Sequence, residues 1–144
     1  MFGAQQFGTG GPVTGISFRL WMDSLESDYP FATVVLGHNA TTELFPIFDI
    51  NMADPTTVFV GTLSVPPGLK AGDWVKIPVS GFTYYPTWNL VVEVAQNVGV
   101  FSNFILATND DVPGPSGVIT NQRSLPIASV AFPGQCDIRI HLSR

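Results

Sequence analysis

Charge is what this chain has least of. Asp, Glu, Lys and Arg make up 12% of its 144 residues, against roughly 25% in ordinary soluble domains. Only six Lys and Arg occur (Arg19, Lys70, Lys76, Arg123, Arg139 and Arg144), against eleven Asp and Glu, for a net charge of −5. The cations are scattered and form no basic stripe, which argues against nucleic acid as a partner. There is one cysteine, Cys136. No disulfide can close within the chain and no cysteine-based zinc site can be built, so a buried or half-buried structural thiol is expected. No apolar run approaches the ~18 residues of a helical membrane span. The opening Met1-Phe2-Gly3-Ala4-Gln5-Gln6 lacks the basic and apolar regions of a signal peptide. The expectation is a chain that stays inside the cell, or one whose export signal lies outside this numbering.

Helix signals are nearly absent as well. No stretch sustains an i, i+3, i+4, i+7 apolar pattern with caps, and 12 Pro and 14 Gly interrupt the chain too often for long helices. What is present is a series of short alternating runs bounded by turn residues. Gly15–Leu20 places Ile16, Phe18 and Leu20 on one face and Ser17 and Arg19 on the other. Further strands are expected at 31–36, closed by Gly37-His38-Asn39, at 57–63, at 74–79 and at 89–94. In the fourth, Val75, Ile77 and Val79 share a face, and Pro78 marks an edge or an end. In the fifth, Glu93 lies opposite Leu90, Val92 and Val94. Residues 100–107 and 125–132 are weaker candidates. The last strand, Cys136–Leu142, turns Ile138, Ile140 and Leu142 inward and Arg139 and His141 outward.

Seven or eight such strands predict one all-β domain over residues 1–144, an antiparallel β-sandwich of jelly-roll type. A domain of this length buries about 70% of the surface of its unfolded chain and needs no staple. Residues 23–30 read as a polar loop. The stretch 44–55 reads as a long loop with room for a turn of helix, and 108–121 as an exposed one. So few charges imply either a surface hidden against other chains or one rich in Thr, Ser, Asn and Gln.

Motifs that carry chemistry are scarce. Only His38, in its turn, and His141, outward on the last strand, could serve as histidine bases. There is no Gly-x-Ser-x-Gly elbow, and the acids fall mostly in loops, where solvation or turn capping is the default. No enzymatic activity is expected. Two oxygen-rich clusters could hold a structural calcium: Asp49, Asn51 and Asp54, and Asp110 with Asp111. Neither matches an EF-hand loop. Phe82, Tyr84, Tyr85 and Trp88 crowd into seven residues. Alternation sets Phe82 and Tyr84 on one face and Tyr85 on the other, so core packing competes with a sugar-stacking surface of Tyr84, Tyr85 and Trp88. Asn39-Ala40-Thr41 fits an N-glycosylation acceptor. The glycine-rich start holds Phe2 and Phe7, which are costly to leave in water and are expected to pack on an apolar surface, of this chain or of a neighbouring subunit.

Several stretches resemble a bacterial exported β-sandwich module found in surface-sorted proteins, including those with a PEP-CTERM tail. They are Phe7-Gly8-x-x-Gly11-Pro12-Val13-Thr14-Gly15-Ile16-Ser17-Phe18-Arg19, Val58–Leu63, Gly72–Pro78 and above all Phe82–Val94, where an aromatic-Pro turn leads into an Asn-Leu-hydrophobic strand. The resemblance spans about residues 5–95, and weakly the last strand. It implies a jelly-roll-like module at the cell surface or outside the cell, although no sorting tail is visible in this sequence. The expected function is a non-catalytic structural module that self-associates into a surface assembly or filament. Two other readings stay open: a carbohydrate-binding accessory module with a glycan partner, and a virus capsid or tail jelly roll.

Overall fold

The structure is a computed structural model that describes residues 4, 7–20, 23–24, 27–41, 44–45, 50–96, 108–109, 118–120, 130–132, 135–136 and 138–143. Among these there is no α-helix, and no helix long and apolar enough to cross a membrane. The strands are β1 (Gly11–Arg19), β2 (Ser27–Asn39), β3 (Thr56–Val65), β4 (Trp74–Pro78), β5 (Thr83–Tyr84), β6 (Asn89–Gln96), β7 (Thr108–Asn109), β8 (Val118–Thr120), β9 (Val130–Phe132), β10 (Gln135–Cys136) and β11 (Ile138–Leu142).

Two antiparallel sheets carry the fold. One has the order β11-β1-β4, with β5 paired to the start of β1, and the other has the order β3-β2-β6. Their inner faces meet in one continuous core. Val13, Ile16, Phe18 and Leu20 of the β1 region pack with Val75, Ile77, Tyr84, Val34, Leu36, Leu63 and Leu90. This is a β-sandwich: each strand alternates, and the two apolar faces can leave water only against each other. The alternation predicted for β1, β4 and β11 is the one observed. Ile16 lies opposite both Ile140 and Ile77, and Phe18 opposite both Ile138 and Val75. Among the described residues β4 forms an edge of its sheet, and it ends at Pro78; the proline implied an edge or an end. Two short ladders, β7–β10 and β8–β9, complete the described pairing. Jelly-roll winding, and the strand expected at 100–107, depend on stretches outside the described residues.

Two sequence expectations change. Residues 27–30 are not loop: β2 is 13 residues long, and Ser27, Asp28 and Tyr29 pair with Val65, Ser64 and Leu63. The register then slips by one between Tyr29 and Ala32. The slip is a β-bulge at Pro30-Phe31, where proline cannot donate to the ladder and Phe31 takes φ 58°. A non-glycine residue there carries a strain of about 1–3 kcal/mol, and the bulge turns Phe31 out to solvent at 64% exposure. The second change concerns 108–121, whose ends are strands β7 and β8 rather than loop.

Candidate functional site

The sequence reads Gly37-His38-Asn39 as a turn because those residue types favour turns. In the fold the strand runs through them. His38 pairs with Leu90 and Asn39 with Asn89 across β2 and β6. Gly37 is needed for packing: a Cβ there would lie 2.7 Å from the Met52 Cβ. His38 is buried, and both ring nitrogens are engaged. Its backbone N–H donates to Asp54 Oδ1 at 2.8 Å, and Nδ1 lies 2.7 Å from Asp54 Oδ2. The Tyr85 N–H points at Nε2 at 3.2 Å. A backbone N–H can only donate, so Nε2 accepts and Nδ1 carries the proton that Asp54 receives. An Asp–His pair of this kind positions a base in many hydrolases. Here the remaining nitrogen is occupied by a main-chain amide, and the pair holds the turn after β5 onto β2.

Burial raises the Asp54 carboxyl's pKa, but the hydrogen bonds from the His38 backbone and ring outweigh it and hold the group below its ordinary value of 3.8. The folded chain therefore prefers the ionised form. The resulting stability is complete above that ordinary value and is lost as pH falls through the lower folded one. Asp54→Asn cannot accept from both His38 donors, and the mismatch leaves a buried group short of a partner, at about 1–3 kcal/mol. Urea unfolding at pH 7 is expected to show this loss, and at pH 3 the gap between wild type and variant should narrow. A gap that is unchanged at pH 3 would show that ionisation of Asp54 plays no part.

Aromatic rings surround His38. Phe82 stacks on it at 4.8 Å between centroids, with Tyr85 at 5.2 Å and Tyr84 and Trp88 at 6.4 Å. The three rings considered for sugar stacking are divided by the fold. Tyr84 is fully buried and is removed from any such surface, while Tyr85 and Trp88 are 55% and 41% exposed. Alternation along β5 causes the division. Phe7, one of the two residues singled out for self-association, meets the edge of Tyr84 at 5.9 Å and packs against this chain's own core. Phe2 lies outside the described residues.

The other polar candidates are committed to the same end of the sandwich. Asn51 is buried; its side chain accepts from the Phe45 N–H and donates to the Phe45 carbonyl, and its own carbonyl accepts from Asn39 Nδ2 at 2.8 Å. With Asp54 held by His38, these two offer little to a calcium ion. Asp49, Asp110 and Asp111 lie outside the described residues, and among the described ones no three His, Cys, Asp or Glu converge. Asn39 is buried too. Its Oδ1 accepts from the Thr41 N–H and hydroxyl at 2.6 Å, and its amide nitrogen serves Asn51. The glycosylation triplet is thus a local turn in the folded chain, with its acceptor nitrogen inaccessible. Asn89 extends the network, donating to the Thr41 carbonyl and accepting from the Ala4 N–H at 2.7 Å.

On the outer face of the β11-β1-β4 sheet, the fold assembles a group that the sequence disperses. Ser17 lies directly across from both Lys76 and Arg139, Gly15 from His141, and Arg19 from Trp74. Antiparallel partners point the same way. Three of the six Lys and Arg, with His141, therefore share the outer face of the β11-β1-β4 sheet, so the absence of a basic stripe along the sequence does not hold in space. Ser17 Oγ and His141 Nε2 are 2.8 Å apart, a nucleophile–base distance. Ser17 is only 3% exposed, however, and among the described residues no carboxylate orients the imidazole. Desolvation first, then the charges of Lys76 and Arg139, lower the His141 pKa. Comparison with known protein families, curated proteins and solved structures finds no match to this chain.

Proposed function

We propose that this chain is a non-catalytic structural module that self-associates through the outer edge of β3. The observation that carries the reading is the composition of that strand. β3 is a ten-residue edge strand, Thr-Thr-Val-Phe-Val-Gly-Thr-Leu-Ser-Val, with no charge and no proline, and among the described residues only β2 pairs with it. Its outward positions are apolar or neutral, with Val60 71% exposed. Soluble proteins blunt such edges with Lys, Pro or short strands, because unpaired N–H and C=O groups are a template for another chain. The strained, exposed Phe31 sits beside it at the β2 bulge. Engagement of His38 by Asp54 and the Tyr85 amide, and burial of Ser17, favour the non-catalytic part of the reading. On the resemblance of residues 5–95 to exported modules, its place is the cell surface or the extracellular space, in a layer or filament. Sedimentation of the purified chain is expected to give a dimer or larger species at micromolar concentration. A stable monomer at high concentration would remove the reading.

A second reading, a glycan-binding surface, is favoured by the exposure of Tyr85 and Trp88, both close to His38, since sugar C–H faces stack on such rings. It expects glycan-array binding that disappears in Trp88→Ala. A blank array with the native chain would dispose of it.

A further inference from the structure

We infer that the outer face of the β11-β1-β4 sheet is a second self-contact, one that takes the carboxylate-bearing surface of another copy of this chain. This deepens the self-association reading and rests on it. Edge pairing between two antiparallel β3 strands is two-fold and closes at the dimer. A layer or filament needs a second contact that does not close, between two different surfaces.

The cationic face has the chemistry for that contact. Lys76 and Arg139 flank Ser17 in register and are both exposed. Their arms are held against the sheet. Arg139 stacks on the Trp74 ring with its guanidinium 3.9 Å from the centroid, and Lys76 lies over Gly15, where a Cβ would meet its Cε at 2.6 Å. Gly15 thus provides the space that lets the lysine lie flat, and little side-chain freedom remains to be lost on docking. Arg19 continues the row, with Nε donating to the Gly72 carbonyl at 3.3 Å. Among the described residues no carboxylate pairs with Lys76 or Arg139.

Charge complementarity identifies the occupant. The chain has eleven acids and six Lys and Arg, and three of those cations lie on this one face. The rest of the chain carries eleven acids against three cations. One copy therefore presents a positive face to the negative remainder of the next, a head-to-tail arrangement in which orientation is selected electrostatically.

The test is sedimentation velocity of the full chain across a sodium chloride series, for the wild type and for Lys76→Glu/Arg139→Glu. At low salt the wild type should assemble beyond the dimer, and at ~0.5 M salt, where screening shortens to a few ångströms, it should fall back to the β3 dimer. The double variant should remain a dimer at every salt concentration, with the concentration for higher assembly raised by about tenfold or more. The salt series on the native chain gives an answer even if the variant folds poorly. Higher assembly that is insensitive to salt and unchanged in the variant would overturn the inference. So would a wild type that stops at a salt-independent dimer, although the β3 reading would survive that result. A monomer under all conditions would end both.

Discussion

Tyr84→Ala should cost about 3–5 kcal/mol of folding stability, the range for removing a large buried aromatic, whereas Tyr85→Ala should stay within about 0.5 kcal/mol, as an exposed substitution does. The two residues are adjacent, and the fold separates them completely. Tyr84 is fully buried, takes the edge of Phe7 and lies 6.4 Å from His38. Its removal opens a cavity where the N-terminal segment, the turn after β5 and the end of β2 meet. Gly10 also approaches there, since a Cβ on it would come within 2.6 Å of the Tyr84 carbonyl and of the Pro86 ring. Tyr85 contributes to the same region through its backbone, whose N–H reaches His38 Nε2, and alanine keeps that bond. Urea denaturation of both variants measures the difference. Equal losses would mean that the ring of Tyr85 is as much a part of the core as that of Tyr84, contrary to its exposure.

In ~0.5 M sodium chloride, where the electrostatic contact is screened, Val60→Lys/Thr62→Lys should convert the dimer to a monomer while leaving the unfolding midpoint nearly unchanged. Both positions are exposed on β3, and exposed substitutions rarely move stability by more than about 0.5 kcal/mol. Placing two lysines on an edge strand of ten uncharged residues has a different consequence. A second β3 could pair only by bringing like charges together and removing them from water. Thermal melts and sedimentation of the same samples separate the two effects. If the variant sediments like the wild type, the β3 edge is not the contact, and self-association would need another surface.

Much of the sandwich can be read directly from residue order. The period-2 runs around Ile16, Val75, Leu90 and Ile138 each declare a buried face, because a strand alternates regardless of its partners. Burial follows that pattern around Ile16, Val75 and Ile138; in β6 it holds at Leu90 and Val92, but Val94 is exposed and Val91 is buried instead. The start of β2 was not legible. Ser27-Asp28-Tyr29-Pro30 has the polarity and the proline of a loop, and only pairing with Val65, Ser64 and Leu63, followed by a bulge, makes it strand. The polar network was equally hidden. His38, Asn39, Asn51 and Asn89 are buried although each residue type favours turns or surface. His38 and Asn89 are satisfied by partners distant in sequence, and Asn39 and Asn51 by each other and by Thr41 and Phe45; a single chain of letters shows none of these pairings.

The sequence by itself determined the class of this protein: all-β, with the identity of most inward residues, because hydrophobic alternation is a local property that needs no knowledge of neighbours. It also determined the sparse, acidic charge. The tertiary structure alone decided what those few charges and rings do. Register placed Lys76 and Arg139 on either side of Ser17 from positions 59 and 122 residues further along the chain. The same pairing buried Tyr84 while exposing Tyr85, and joined His38 to Asp54. Each of these depends on which strand lies beside which. That choice is made by the fit of two apolar faces across the core, to which distant segments contribute together.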